Sequence, residues 1–86
     1  MNSTLIELRD LNPEALLLDN MDEALVGVGQ VGLADPVAVY SQALIFAKLS
    51  RDGFSPEEAA AYFQEKMTEM ANATYAPVIL RDVIEE

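Results

Sequence analysis

The 86-residue sequence predicts a small two-layer α+β domain: a three-stranded sheet, made of a β-hairpin plus a C-terminal strand, with two to three helices packed on one face. Three observations predict it. Two β-branched runs flank a Gly/Asp/Pro loop between residues 24 and 40; two amphipathic helical stretches with clear end signals follow; and the apolar run Val78-Ile79-Leu80 comes last. A chain of this length suits one domain with a small core. Residues 1–86 are therefore read as a single unit, with 82–86 as a polar tail.

Residues 1–11 carry Leu5, Ile6, Leu8 and Leu11 without a decisive period, and read equally as a frayed helix or as a mobile extended arm. Asn12, Pro13 and Glu14 then supply an N-cap, a proline suited to the first helical position and an acid for the first turn, so a short helix is expected over 13–20. Leu16, Leu17 and Met21 would cover one edge of the core. Leu25, Val26, Val28 and Val31, interleaved with glycines, form the first hairpin strand and Val37 to Tyr40 the second.

Ser41 can cap the next helix, QALIFAKLSR, whose Leu44, Ile45, Ala47 and Leu49 give an apolar side and whose Lys48 and Arg51 suit the negative C-terminal end. Gly53 supplies the left-handed residue that stops it. Ser55-Pro56-Glu57-Glu58 is a capping box with proline at the first helical position. The helix it opens is expected to reach Ala71, with Ala59, Phe63, Met67 and Met70 on a core face and Glu57, Glu65 and Glu69 directed elsewhere. Two helices in succession would return the chain to the end where it left the sheet, so the last strand, continuing through Val83 and Ile84, is expected to run opposite to the second.

Gly27, Gly29 and Gly32 spell Gly-x-Gly-x-x-Gly, the pattern of a dinucleotide-binding loop. Such a loop must open a helix, because the phosphates rest on free amides at the helix N-terminus. Here the third glycine leads into Leu-Ala-Asp-Pro and a strand, so the run is read as a hairpin whose glycines relieve a bulge or let a neighbour approach closely.

Fifteen Asp and Glu against five Lys and Arg give a formal net charge of −10, and Arg9, Lys48, Arg51, Lys66 and Arg81 are scattered along the chain. Direct nucleic-acid binding is disfavoured, since phosphate backbones are held by clustered cations. A field of this sign steers the chain toward basic surfaces, including the nucleic-acid grooves of other proteins. With no cysteine and no histidine, thiolate chemistry, cysteine-ligated metals and the commonest general base are absent. An enzyme is not expected, and neither is a cofactor nor a metal.

Asp19, Asp22 and Glu23 cluster in DNMDEA but lack the spacing of a calcium loop, and helix-end charge explains them. Glu57 and Glu58 are explained by the helix dipole rather than by acid–base work. Tyr40, Tyr62 and Tyr75 have no basic stripe beside them and read as core or interface residues. Met21, Met67 and Met70 read as gap-fillers, or in the sharper reading as an adaptable partner groove. No secretion signal or membrane span is visible, so a soluble, unexported chain is expected, and the sequons at Asn2 and Asn72 are discounted.

The stretches DNMDEALVGVGQ, VAVYS and LSRDGFSPEEAAAYFQ resemble, in order and spacing, a group of small proteins carried by bacteriophages and prophages. In that group a D-x-ALIGVG-like strand is followed by an AVYD-like strand, a helix and a G-M-S-x-E-E-A-x-E-Y-F segment. The resemblance spans residues 19–80. The chain departs from it at Ser41, where the group has an acid, at Gln64-Glu65-Lys66, and in 72–77, which lacks the usual glycine. The resemblance implies a phage-associated origin and a life in the cytosol of a bacterial host, and it carries over no functional residue.

The expected function is thus a small acidic, non-enzymatic protein-binding module, a phage accessory protein that covers a basic, nucleic-acid-binding surface of a host protein such as a defence nuclease complex, in the manner of an anti-CRISPR inhibitor. Asp19, Asp22, Glu23, Glu57, Glu58, Glu65 and Glu69 would form its contact surface. The alternative is a homodimer that sequesters a small ligand or signalling nucleotide. An assembly factor that self-associates through a sheet edge is a third reading.

Overall fold

The computed structural model describes residues 3 to 81. The expected polar tail over 82–86, and with it Val83 and Ile84, lies outside the described residues. The elements in chain order are α1 (Ser3–Leu11), a single 3₁₀ turn (Asp22–Ala24), β1 (Leu25–Gly29), β2 (Val37–Ser41), α2 (Gln42–Arg51), α3 (Pro56–Met70) and β3 (Val78–Leu80). This is the two-layer α+β architecture. The strands lie in the order β1-β2-β3, with β1 antiparallel and β3 parallel to β2.

The glycine run is a hairpin. Leu25 pairs with Tyr40, the next pair is Gly27 with Val39, and Val26 is the extra residue of a bulge. Beyond Gly29 the Ala34 amide donates to the Val31 carbonyl at 2.9 Å and closes a turn in which Gly32 takes φ +56°. No helix opens there: the chain passes directly into β2. Gly29 answers a second demand, since a β-carbon on it would sit 2.8 Å from Val39 Cγ2. Valine is stiff about χ1 and cannot easily swing away. Gly29→Ala is expected to cost about 1–3 kcal/mol. Part of that cost should disappear in a chain that also carries Val39→Ala, a coupling of about 1 kcal/mol readable by urea denaturation of the four-member cycle.

Both later helices start and stop where their local chemistry says. Ser41 Oγ accepts from the Leu44 amide at 3.2 Å, and α2 ends with Gly53 at φ +98°. There Phe54 N–H donates to Leu49 O and Gly53 N–H to Ser50 O, the paired bonds of a Schellman stop. On α2 the packing residues are Ile45, Leu49 and Phe46, whereas Leu44 and Ala47 are exposed, so the inward face is rotated from the expected one. In α3 Ala59 is buried, and Tyr62, Phe63, Met67 and Met70 pack on the core as their spacing requires.

Two expectations fail on long-range partners. Residues 13–20 form no helix. Asn12 does begin as a cap, its Oδ1 accepting from the Glu14 amide at 3.2 Å and its carbonyl from Ala15. The next amides are then claimed from elsewhere: Leu16 N–H goes to the Tyr75 carbonyl and Leu18 N–H to the Tyr40 hydroxyl. Asn12 Nδ2 donates to the Pro36 carbonyl at 2.8 Å, which ties this segment to the hairpin loop. Of the two readings open for the N-terminal stretch, the described residues take the helical one: Ser3–Leu11 is α1, and Leu8 is buried.

The second correction is β3, which runs parallel to β2. Residues 71–77 form a seven-residue connection that can span about 23 Å when extended, enough to undo the return made by two successive helices. It carries the chain back to the hairpin-loop end, where Tyr75 Oη donates to Asp35 Oδ2 at 2.8 Å.

The core gathers Leu8, Leu18, Met21, Ile45, Leu49 and Ala59 against Leu25, Ala38 and Tyr40 of the sheet, with Val28 and Ile79 at its margin. Tyr40 and Ala38 are fully enclosed. By register, the opposite face of the sheet holds Val37 and Val39, half-buried, and Ser41, buried, with Val78 and Leu80 exposed. None of the described helices is long and apolar enough to cross a membrane.

Candidate partner-binding surface

The C-terminal half of α3 lies beside residues 17–21, and between them runs a cleft of about 120 Å³. Its apolar lining includes Leu17, Met21, Phe63, Met67 and Met70, with Asp19, Lys66 and Glu69 as its charged members. Met21 is buried while Met67 and Met70 are half-buried, so the methionines are both gap-fillers and the wall of an open groove.

The seven acids named from the sequence are placed unevenly. Asp19 and Glu69 both line the cleft. Glu69 accepts from Lys66 Nζ at 3.5 Å, and this contact raises the Lys66 ammonium above its ordinary pKa. Lys66 also sits 5.5 Å from the centroid of the Tyr62 ring. Asp22 and Glu23 open the 3₁₀ turn, and Glu23 is held by the Arg51 guanidinium.

Glu58 is occupied by the helix start: its Oε1 accepts from the Ser55 amide at 3.0 Å while its own amide donates to Ser55 Oγ at 3.2 Å. The Ser55 amide lowers the Glu58 carboxyl below its usual pKa, because it bonds to the charged form. Glu57, Glu65 and Glu69 lie at multiples of four residues along α3 and are exposed. Glu57 and Glu69 are twelve residues and hence about 18 Å apart. The acids therefore form a stripe along α3 with a second group at 19–23, and not one compact patch. Among the described residues no three carboxylates are grouped as a metal ion would need.

Among the described residues, three cations are committed to acids: Lys48 to Asp52 at 2.7 Å, Arg51 to Glu23, and Lys66 to Glu69. Of the tyrosines, Tyr40 is core, Tyr62 stacks edge-on against Phe54 with centroids 5.4 Å apart, and Tyr75 is bound to Asp35, whose hydrogen bond and charge push the Tyr75 phenol pKa up. On the cleft's other wall the sequence pointed to Leu17 and Met21 but also to Leu16, which is exposed, and missed Leu18, because a non-periodic leucine run gives no direction. Comparison with family models, with curated proteins and with solved structures returned no match.

Proposed function

We propose that this chain is a small, acidic, non-catalytic protein-binding module whose partner presents a basic surface of the kind that otherwise holds nucleic acid. The observation that carries this reading is the charge surplus and its placement. Fifteen acids face five cations, and three of those cations are spent on Asp52, Glu23 and Glu69. Excess negative charge is left on the outer stripe of α3 and around residue 19, on either side of an apolar cleft. Together with the likeness to phage-borne proteins, this favours an accessory protein acting in a bacterial cytosol on a host defence nuclease complex.

The test is binding measured against ionic strength. A basic partner captured from bacterial lysate should bind the purified chain with an association rate that falls at least about tenfold between low and high salt. Reversing Glu57, Glu65 and Glu69 to lysine should slow association comparably while leaving the circular dichroism unchanged, since none of the three closes a helix cap. Binding that ignores salt and survives the triple reversal would overturn the proposal.

A second reading, sequestration of a small ligand, draws on the Tyr62 ring and the Lys66 ammonium at the same cleft. Its volume of about 120 Å³ falls short of the roughly 300 Å³ at which small-molecule sites begin, which favours the first reading. A nucleotide that raises the melting temperature in proportion to its concentration would reverse that preference.

A further inference from the structure

We infer that the cleft between α3 and residues 17–21 seats one arginine side chain of the basic partner, its aliphatic stem along the methionine wall and its guanidinium between the carboxylates of Asp19 and Glu69. The inference rests on the function proposed above and names the group on the partner that this site would hold.

Size limits the occupant. An apolar cavity of roughly 150 Å³ holds one benzene ring, so a cleft of about 120 Å³ holds one side chain and excludes a helix or a nucleotide. The walls suit a long, unbranched stem. Met67 and Met70 on α3 and Leu17 opposite them are half-buried, and thioether chains adapt to whatever lies along them.

Charge fixes the head group. Asp19 comes from one wall and Glu69 from the other, and both are exposed. Glu69 has Lys66 at a long 3.5 Å, whereas among the described residues no donor bonds to the Asp19 carboxylate. Two acids against one cation leave the cleft negative. A leucine anchor would fill the walls, yet it would strip water from Asp19 and return nothing to it. A cation on an apolar stem answers both, burying the stem and keeping its charge at the rim.

Lys66 already stands this way, half-buried, with its ammonium 5.5 Å from the centroid of the Tyr62 ring and against Glu69. Arginine fits the remaining place better than a second lysine. The guanidinium is planar, presents five donors and is weakly hydrated, so it can bond two carboxylates at once and loses less on leaving water. A surface that otherwise holds phosphates supplies such arginines.

The probe is N-acetyl-arginine amide, titrated at low salt into the full chain with methyl-labelled methionine, and compared with the lysine and norleucine amides. The arginine amide should shift the Met67 and Met70 methyl resonances along a saturable curve in the millimolar range, and the other two should bind at least about threefold more weakly. Asp19→Asn should weaken the arginine amide at least about threefold, and D19N with E69Q at least about tenfold. Glu57→Gln, on the same acidic stripe but about 18 Å from Glu69 along α3, should leave it unchanged.

Methyl resonances that do not move, norleucine or lysine amide binding as tightly as arginine, or an effect of E57Q equal to that of D19N would each overturn the inference. A basic partner captured with full salt sensitivity that binds D19N as tightly as wild type would overturn it too, and would leave the proposed function standing. An arginine amide seated in the cleft of a chain that captures no basic partner would remove the function and leave the site.

Discussion

Tyr40→Ala is expected to leave the chain largely unfolded at neutral pH, and Tyr40→Phe to weaken it measurably. Tyr40 is fully enclosed and sits in the central strand, opposite Leu25 on one side and Ile79 on the other. Truncating a buried aromatic ring costs about 3–5 kcal/mol, a large share of the roughly 5–15 kcal/mol that holds a small domain together. The phenylalanine variant keeps the packing and loses one bond. The Tyr40 hydroxyl accepts the Leu18 amide at 3.0 Å, and without it that buried N–H has no replacement, at a cost of about 1–3 kcal/mol.

The same residue gives an alkaline signature. Burial raises the Tyr40 phenol pKa, the Leu18 hydrogen bond offsets part of the rise, and the carboxylates of Asp22 and Asp19 add to it. The folded state thus holds the phenolic proton more tightly than the unfolded chain does. The resulting stability is fully present below the unfolded value near pH 10 and is lost as pH rises through the folded one. Tyr75, raised as well, titrates in both chains and cancels in the difference. Urea denaturation of wild type and Y40F between about pH 8 and pH 11 should show their stabilities converging. A constant gap across that range would mean that Tyr40 keeps no proton-linked stability, and a zero gap at pH 8 that the Leu18 bond contributes nothing.

The segments legible in the sequence are those whose chemistry is local. The Ser55–Glu58 box, the Ser41 cap and the Gly53 stop each involve residues within five positions of one another, and α2 and α3 begin and end on them. The hairpin was legible because Gly32 must turn and no helix follows it. Residues 12–20 were not: a cap at Asn12 is a local statement, whereas the amides of Leu16 and Leu18 are taken by Tyr75 and Tyr40, 59 and 22 residues away. The direction of β3 depended likewise on a loop anchored at Asp35. At the candidate surface, the stripe on α3 could be read from four-residue spacing, while the placing of Asp19 and Glu69 on one cleft required knowing that 17–21 lies beside α3. The occupation of Glu58 by its own helix cap was readable, and it removes that residue from the free contact set.

Leu8 decides whether the first eleven residues are part of the fold. An extended mobile arm would tolerate Leu8→Ala with a change within about 0.5 kcal/mol, as exposed positions do. Leu8 is instead enclosed, only 1% exposed, in the same cluster as Leu18 and Tyr40, and its carbonyl accepts the Asn12 amide at 2.7 Å. Removing its side chain is expected to cost about 2–5 kcal/mol. Ile6→Ala and Leu11→Ala, on the outer side of α1 with 45 and 54% exposure, should cost far less, and their midpoints in urea serve as the reference. Amide exchange adds a second reading: if α1 is docked through Leu8, its amides should exchange with the protection of the core, and L8A should release α1 before the sheet. A Leu8→Ala chain as stable as Ile6→Ala would return residues 3–11 to the role of an arm. It would also leave the inner face of β1 covered by α2 and α3 alone.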